Sequence, residues 1–187
     1  MDNKQHIRKE LLKERNTLPE EQRQKYSKII TAQVFSLNQY IHADILLIYA
    51  SYRSEVSTYK IIEHALNTNK KVFCPKVLSS GIMEFYEITS LEDIVLGYKD
   101  IPEPKTTEFP FPNAVTLNTL MIMPLVGFDD KKNRLGYGGG FYDRYLQRFP
   151  DIKPIALAYE CQKYESEIPV EATDIKPALI LTEQRVF

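Results

Sequence analysis

The sequence predicts an α/β fold in which a mostly parallel sheet is flanked by helices. Two continuous apolar runs of strand length, "ADILLIYAS" (residues 43–51) and "LMIMPLVGF" (120–128), lack the polar alternation of a half-exposed strand and suit strands buried on both faces. Segments of helical periodicity fall between the strand candidates, the order that produces crossover helices. The length, 187 residues with 43% hydrophobic and 26% charged, suits a single domain spanning 1–187.

The elements follow in order. Residues 4–15, "KQHIRKELLKER", predict a helix with Ile7, Leu11 and Leu12 on one face, broken at Asn16 and Thr17. Pro19 stands near the start of a second helix, where its missing N–H costs nothing. That helix runs to about Leu37 with Tyr26, Ile29, Ile30, Val34 and Leu37 inward. The strand at 43–51 leads through the loop "YRSEVS" to a helix "TYKIIEHALNTN", then to strands "KVFCPKV" and "IMEFYEI". Residues 97–119, with Pro102, Pro104, Pro110 and Pro112, predict a long surface connection. The strand "LMIMPLVGF", a glycine loop, a helix "FYDRYLQRF" stopped by Pro150 and a strand "PIALAYE" complete the alternation. The tail "EATDIKPALILTEQRVF" adds a loop and one or two short strands.

Bulk properties exclude several classes. A net charge of −1 and the lack of basic–aromatic repeats argue against nucleic acid as a partner, and the charge also argues against an anionic membrane. The polar start "MDNKQHIRKE" has no apolar signal core, and the apolar runs are too short to span a bilayer. Cys74 and Cys161 lack a CxxC partner and predict two buried reduced thiols, which with the rest implies the cytoplasm. His6, His42 and His64 are scattered without metal-ligand spacing, and no obligate protein partner is evident.

The chemistry concentrates in "NRLGYGGGFYDRY", which holds Gly136, Gly138, Gly139 and Gly140, four of the seven glycines in the chain. Glycine loses about 0.5–1 kcal/mol relative to alanine when its backbone is ordered, so the run implies that bare backbone is needed there. Successive N–H groups in a turn form an anion nest, and the helix that starts at Phe141 adds its positive dipole end. Arg134 before the nest matches phosphate oxygens, and Asp143 after it could hold a divalent cation against them. The loop is neither a P-loop, since no Lys-Ser or Lys-Thr follows, nor a dinucleotide fingerprint, since Phe141 stands where the third glycine belongs. Loop 52–57, "YRSEVS", lies like the glycine loop beyond the carboxyl end of a strand, where α/β sheets bind ligands.

The stretch "MPLVGFDDKKNRLGYGGGFYDRYL" resembles the signature of the 5-formyltetrahydrofolate cyclo-ligases, or 5,10-methenyltetrahydrofolate synthetases. "KQHIR", "YASYRSEVST" and "EIPVEATDIKPALILTE" resemble further segments of that family, so the likeness covers essentially the whole chain. It implies the α/β fold shared with ribose-5-phosphate isomerases and CoA transferases. It implies an ATP- and Mg²⁺-dependent cyclisation of 5-formyltetrahydrofolate to 5,10-methenyltetrahydrofolate with release of ADP and phosphate. For ATP the resemblance implies Lys4 and Arg8, one helical turn apart, and Arg134, Leu135, Gly136, Tyr137, Gly138, Gly139, Gly140, Phe141 and Tyr142. Arg134 and Asp143 would be the catalytic pair, and Asp143 with Asp174 from "ATDIK" would hold Mg²⁺. For the folate it implies Ala50, Glu55, Tyr137, Gly138, Gly139, Gly140 and Phe141, with Glu55 accepting two hydrogen bonds from the pterin edge. Tyr137, Phe141 and Tyr142 could stack on the folate or wall it. Many relatives carry tyrosine where this chain has Phe141, so the hydroxyl is absent here. A sugar-phosphate isomerase or CoA-ester enzyme on the same fold, using the nest for a substrate phosphate, is the alternative.

Overall fold

The computed structural model describes residues 4–79, 81–112 and 118–187. Helix α1 (Lys4–Thr17) buries Ile7 and Leu11, and includes Asn16 and Thr17, where the break was expected. Helix α2 (Glu20–Ser36) follows Pro19 at its N-cap, with Glu20 and Glu21 in its first turn, where acidic side chains complement the dipole. Of the expected inward face, Ile30 and Val34 are buried and Tyr26 and Leu37 pack partly buried against the same core, but Ile29 is exposed. Ser27 and Thr31 are buried beside them, and the Ser27 hydroxyl lies 3.0 Å from the Tyr159 hydroxyl in the core.

A short helix α3 (Asn38–Ile41) leads to β1 (Ile45–Ile48), α4 (Tyr59–Asn67), β2 (Lys71–Ser79) and β3 (Ile82–Ile88). The proline-rich connection contains a ribbon in which β4 (Ile94–Leu96) pairs antiparallel with β5 (Pro102–Pro104). The expectation of a plain connection over 97–119 is corrected to that extent, and residues 113–117 lie outside the described residues. The chain continues through β6 (Thr119–Pro124), β7 (Gly127–Phe128), β8 (Arg134–Leu135), α5 (Phe141–Arg148), β9 (Ile155–Leu157) and β10 (Leu179–Leu181).

The main sheet has the order β10-β9-β6-β1-β2-β3, parallel throughout except for the β2–β3 hairpin. Strand periodicity divides β1 between two cores. Leu46 and Ile48 pack with Ile30 and Val34 of α2 and Ile61 and Ile62 of α4. Ile45 and Leu47 pack on the opposite face with Tyr145 and Leu146 of α5. Each of these fully buried aliphatic side chains contributes about 1.5–3 kcal/mol of transfer free energy. Helices therefore cover both faces, as the uniformly apolar strands require.

One predicted strand is two. "LMIMPLVGF" stops at Pro124, which ends the ladder, and Gly127–Phe128 turns back to pair with Arg134–Leu135. Gly127 is needed because a Cβ there would lie 2.1 Å from Leu11 Cδ1 of α1. Leu11, Ile7, Val126, Leu135 and Ile168 form the small core that seats α1 on this hairpin. Asp129, 2% exposed, knits the turn: its carboxylate accepts from the backbone N–H of Lys131, Asn133 and Ile168 and from Asn133 Nδ2 at 2.7–2.9 Å. That turn delivers Arg134 and the glycine loop to the carboxyl end of β6.

Cys74 is fully buried, and burial pushes its thiol well above the ordinary value. Cys161 is only half-buried, which corrects the expectation of two buried thiols; burial raises it to about 11. Timed alkylation of the native protein followed by mass spectrometry is expected to label Cys161 slowly and Cys74 only after unfolding. Among the described residues no helix is long and apolar enough to cross a membrane.

Candidate active site

The glycine loop, the first turn of α5, the N-terminal turns of α1 and residues 171–174 enclose a cavity of about 510 Å³. Backbone conformation explains the glycines. Gly138 (φ +95°) and Gly140 (φ +63°) are left-handed, and Gly140 is the N-cap of α5. Space explains the others: a Cβ at Gly139 would lie 2.5 Å from the Phe141 ring, and one at Gly136 would lie 3.0 Å from Arg134 Nη1.

Arg134 and Asp143 meet across this loop. Arg134 Nη2 donates to both Asp143 oxygens at 2.9 and 2.8 Å, and the Ile175 N–H donates to Oδ1 at 3.0 Å. Their side chains are 6% and 14% exposed. Arg134 Nε is buried with no hydrogen-bond partner. Arg8 Nε donates to the Gly136 carbonyl at 2.8 Å, and its guanidinium lies where a Cβ on Gly138 would touch it. Lys4 Nζ donates to Asp174 Oδ2 at 2.6 Å and to Glu171 Oε1 at 2.9 Å. Burial pulls the Lys4 ammonium down, but these two partners outweigh it and hold the pKa above its ordinary value.

The cavity thus unites Lys4, Arg8, Arg134–Asp143 and Asp174, drawn from three separate parts of the chain. Leu135 joins it through its backbone, because its side chain packs against α1. Among the described residues no group of three or more His, Cys, Asp or Glu is placed to hold a metal. The carboxylates in reach of a cation at this cavity are Asp143, Asp174 and the exposed Glu171.

Ala50 and Glu55 are not in the cavity wall. Ala50 is buried at the end of β1. Glu55 is half-buried and touches the glycine loop through one bond: the Tyr137 hydroxyl donates to Glu55 Oε1 at 2.6 Å. The Tyr52 N–H donates to Oε2 at 2.8 Å. Burial raises the Glu55 carboxyl above its ordinary value, and the Tyr137 and Tyr52 bonds and the Arg15 charge work against that rise.

The three aromatic rings differ in what they can offer. Tyr137 is 49% exposed, with the Arg15 guanidinium 5.7 Å from its ring centroid. Phe141 sits under the Arg144 guanidinium, 5.5 Å from its centroid, and packs against the α5 core. Tyr142 meets Phe85 edge-on in the same core, and burial drives its hydroxyl well above the ordinary value.

Sequence reasoning missed two arginines. Arg144 lines the cavity and donates from Nε to the Gly81 carbonyl at 2.9 Å and from Nη2 to the Gly139 carbonyl. Arg15, 3% exposed, reaches Tyr137 and Ser54. A signal existed for Arg15: Lys4, Arg8, Leu11 and Arg15 recur at helical spacing, so they share one face.

Residues 1–183 match a family model described as the 5-formyltetrahydrofolate cyclo-ligase family. A 5-formyltetrahydrofolate cyclo-ligase of Haemophilus influenzae is 34% identical over 178 residues, covering 92% of this chain and 93% of the relative. One of Mus musculus is 33% identical over 193 residues, covering 96% and 93%. The NMR structure of Aquifex aeolicus 5,10-methenyltetrahydrofolate synthetase superposes with a TM-score of 0.83 at 30% identity, over 98% of this chain and 91% of that one.

Proposed function

The chain belongs to the 5-formyltetrahydrofolate cyclo-ligase family, and on that premise we infer how its residues divide the reaction. The enzyme is an ATP-dependent ligase that cyclises 5-formyltetrahydrofolate to 5,10-methenyltetrahydrofolate. ATP supplies the leaving group: the formyl oxygen takes its γ-phosphoryl group, and phosphate departs as nitrogen-10 closes the ring. The protein's task is positioning and charge neutralisation.

One observation carries the assignment of the nucleotide site: bare glycine backbone, Lys4, Arg8 and Arg134 line one cavity. Side chains at Gly139 and Gly140 would collide with Phe141 and Arg144, so the cradle has room only for backbone and ligand. The unpartnered Arg134 Nε is a buried donor in need of an acceptor, which a phosphate oxygen supplies. Lys4 and Arg8 hold the outer phosphates, and Arg134 neutralises charge on the transferred group. Asp143 and Asp174 would hold Mg²⁺, whose preference for carboxylate, phosphate and water oxygens they satisfy. Arg134 and Lys4 neutralise these carboxylates in the free protein, and a polyphosphate offers both cations another partner. Bound Mg²⁺ would draw charge off the phosphate oxygens. The two unpaired cysteines support a cytoplasmic setting.

Glu55 binds the pterin edge as a carboxylate, beside Ala50 and under the exposed ring of Tyr137. Glu55→Gln is expected to weaken 5-formyltetrahydrofolate binding by about tenfold or more while leaving ATP affinity intact, since a hydrogen bond to a charged group contributes about 1.5–3 kcal/mol. Calorimetry with each ligand alone tests the division. A large loss of ATP affinity would put Glu55 in the wrong subsite.

The pH dependence has a definite sign. Protonation removes the acceptor, so kcat/KM for the folate should fall as pH drops through the raised Glu55 pKa, above the ordinary glutamate range. Stability runs the other way. A raised carboxyl adds stability only below its pKa and loses it as pH rises through the window between the unfolded and folded values. Glu55→Gln should therefore abolish both the acid limb and the loss of stability as pH rises through that window. A pH–rate profile and a thermal melt read the two effects.

A further inference from the structure

Arg15 is a buried cation that, among the described residues, has no carboxylate as a direct hydrogen-bond partner. Its guanidinium donates from Nε to Ser54 Oγ at 3.0 Å, from Nη2 to the Tyr137 hydroxyl at 2.9 Å and from Nη1 to the Leu125 carbonyl at 3.5 Å. Ser54 in turn donates to Asn16 Oδ1, so its own proton is already directed. A buried charge is tolerated only when it is compensated, and the negative group in reach is Glu55, one hydroxyl away.

The chemistry of the chain leaves one proton arrangement. A guanidinium has donors and no acceptor, so the Tyr137 oxygen must accept from Arg15. The phenol's single proton then goes to Glu55, which is the bond observed. We propose that Arg15 is a positioning residue for the formyl-folate, acting through Tyr137: it commits the Tyr137 proton to Glu55 and thereby holds the carboxylate, and the loop that carries it, against the glycine loop. The proposal rests on the assignment of Glu55 to the pterin made above. It also joins the two ligand sites physically, because Tyr137 lines the phosphate cavity while its hydroxyl serves Glu55.

Glutamine at position 15 separates this role from simple packing. Its amide oxygen can accept the Tyr137 proton and withdraw it from Glu55, whereas lysine keeps a donor without an acceptor. Calorimetric titration of 5-formyltetrahydrofolate and, separately, ATP into Arg15→Gln, Arg15→Lys, Tyr137→Phe, Glu55→Gln and the double variant Arg15→Gln/Tyr137→Phe tests it. Arg15→Gln and Tyr137→Phe are each expected to weaken folate binding roughly tenfold, and Arg15→Gln, which lies outside the cavity wall, to leave ATP binding unchanged. Arg15→Lys should bind folate more tightly than Arg15→Gln. The double variant should lose no more than either single one, because both break the same chain of bonds. Independent, multiplying losses would overturn the proposal, as would equal losses for ATP and folate in Arg15→Gln. Folate weakened by Glu55→Gln but not by Arg15→Gln or Tyr137→Phe would also overturn it while leaving the Glu55 assignment intact. Folate binding indifferent to Glu55→Gln would instead overturn that assignment and this inference with it. Thermal melts identify an Arg15 variant that fails to fold; Tyr137→Phe, which removes one hydroxyl from a half-exposed ring, then decides the matter.

Discussion

Replacing Arg134 by alanine is expected to lower turnover by about 10³-fold or more, the scale on which an arginine that neutralises a transferring phosphoryl group acts. The structure adds a second consequence. Arg134 compensates the partly buried Asp143 through two hydrogen bonds, and removing one partner of such a pair costs up to about 3–5 kcal/mol, the figure for a fully buried pair. The variant should therefore also melt at a lower temperature. The two effects separate in the Arg134→Ala/Asp143→Asn double variant, where no charge is stranded: stability should recover and turnover should not. Single-turnover formation of the methenyl product at saturating ATP, on protein checked for folding, gives the catalytic part alone. Turnover near the parent rate in a folded Arg134→Ala protein would remove Arg134 from the site.

The second large effect is expected at Gly140. Its φ of +63° is costly for any side chain and most of all for a β-branched one, and a Cβ would lie 2.7 Å from Arg144 Nη1. Gly140→Val must either shift the loop or displace Arg144, which also holds the Gly139 and Gly81 carbonyls. Strain of about 1–3 kcal/mol in the ligand cradle corresponds to a loss of roughly 10- to 100-fold in ATP affinity. Calorimetric titration of ATP reads it directly. Glu55 lies outside the cavity wall, so folate binding measured without ATP should suffer less. Undiminished ATP affinity in Gly140→Val would mean that the phosphates sit elsewhere.

These expectations show which parts of the molecule were legible in sequence. Continuous apolar runs marked β1 and β6 because both faces of those strands are buried, and the six-stranded sheet bears that out. The glycine run marked the cradle because left-handed backbone and close ring packing leave few alternatives to glycine. The break within "LMIMPLVGF" was less visible. Pro124 could have ended a strand, but the need for glycine at 127 arises only from the approach of Leu11 on α1, more than a hundred residues away in sequence. The burial of Ser27 on α2 was hidden for the same reason, since its hydroxyl meets that of Tyr159, far away in sequence. Periodicity of apolar residues cannot register a buried polar partner.

Arg15 illustrates the limit in the functional site. On sequence it is one more charge in a basic helix, and charge runs on helices are usually solvated. Only the folded contacts show it buried between the glycine loop and Ser54. Asp129 is similar: it lies in "GFDDKKNRLG", within the stretch that resembles the family signature, yet its work is structural, collecting four donors to shape the turn before Arg134. The residues proposed to touch ligand stand out by their chemistry, and Arg15 and Asp129, which hold the surrounding loops, show their partners only in the fold.

The protein couples ATP consumption to ring closure on the folate. The most direct test records ADP release and the near-ultraviolet absorbance of the methenyl product together, with protein, Mg²⁺, ATP and 5-formyltetrahydrofolate, and with each component omitted in turn. Equal amounts of ADP and methenyl product, and neither in the absence of the other substrate, is the result expected. ADP released at the same rate without folate, or methenyl product formed without ATP, would contradict the account.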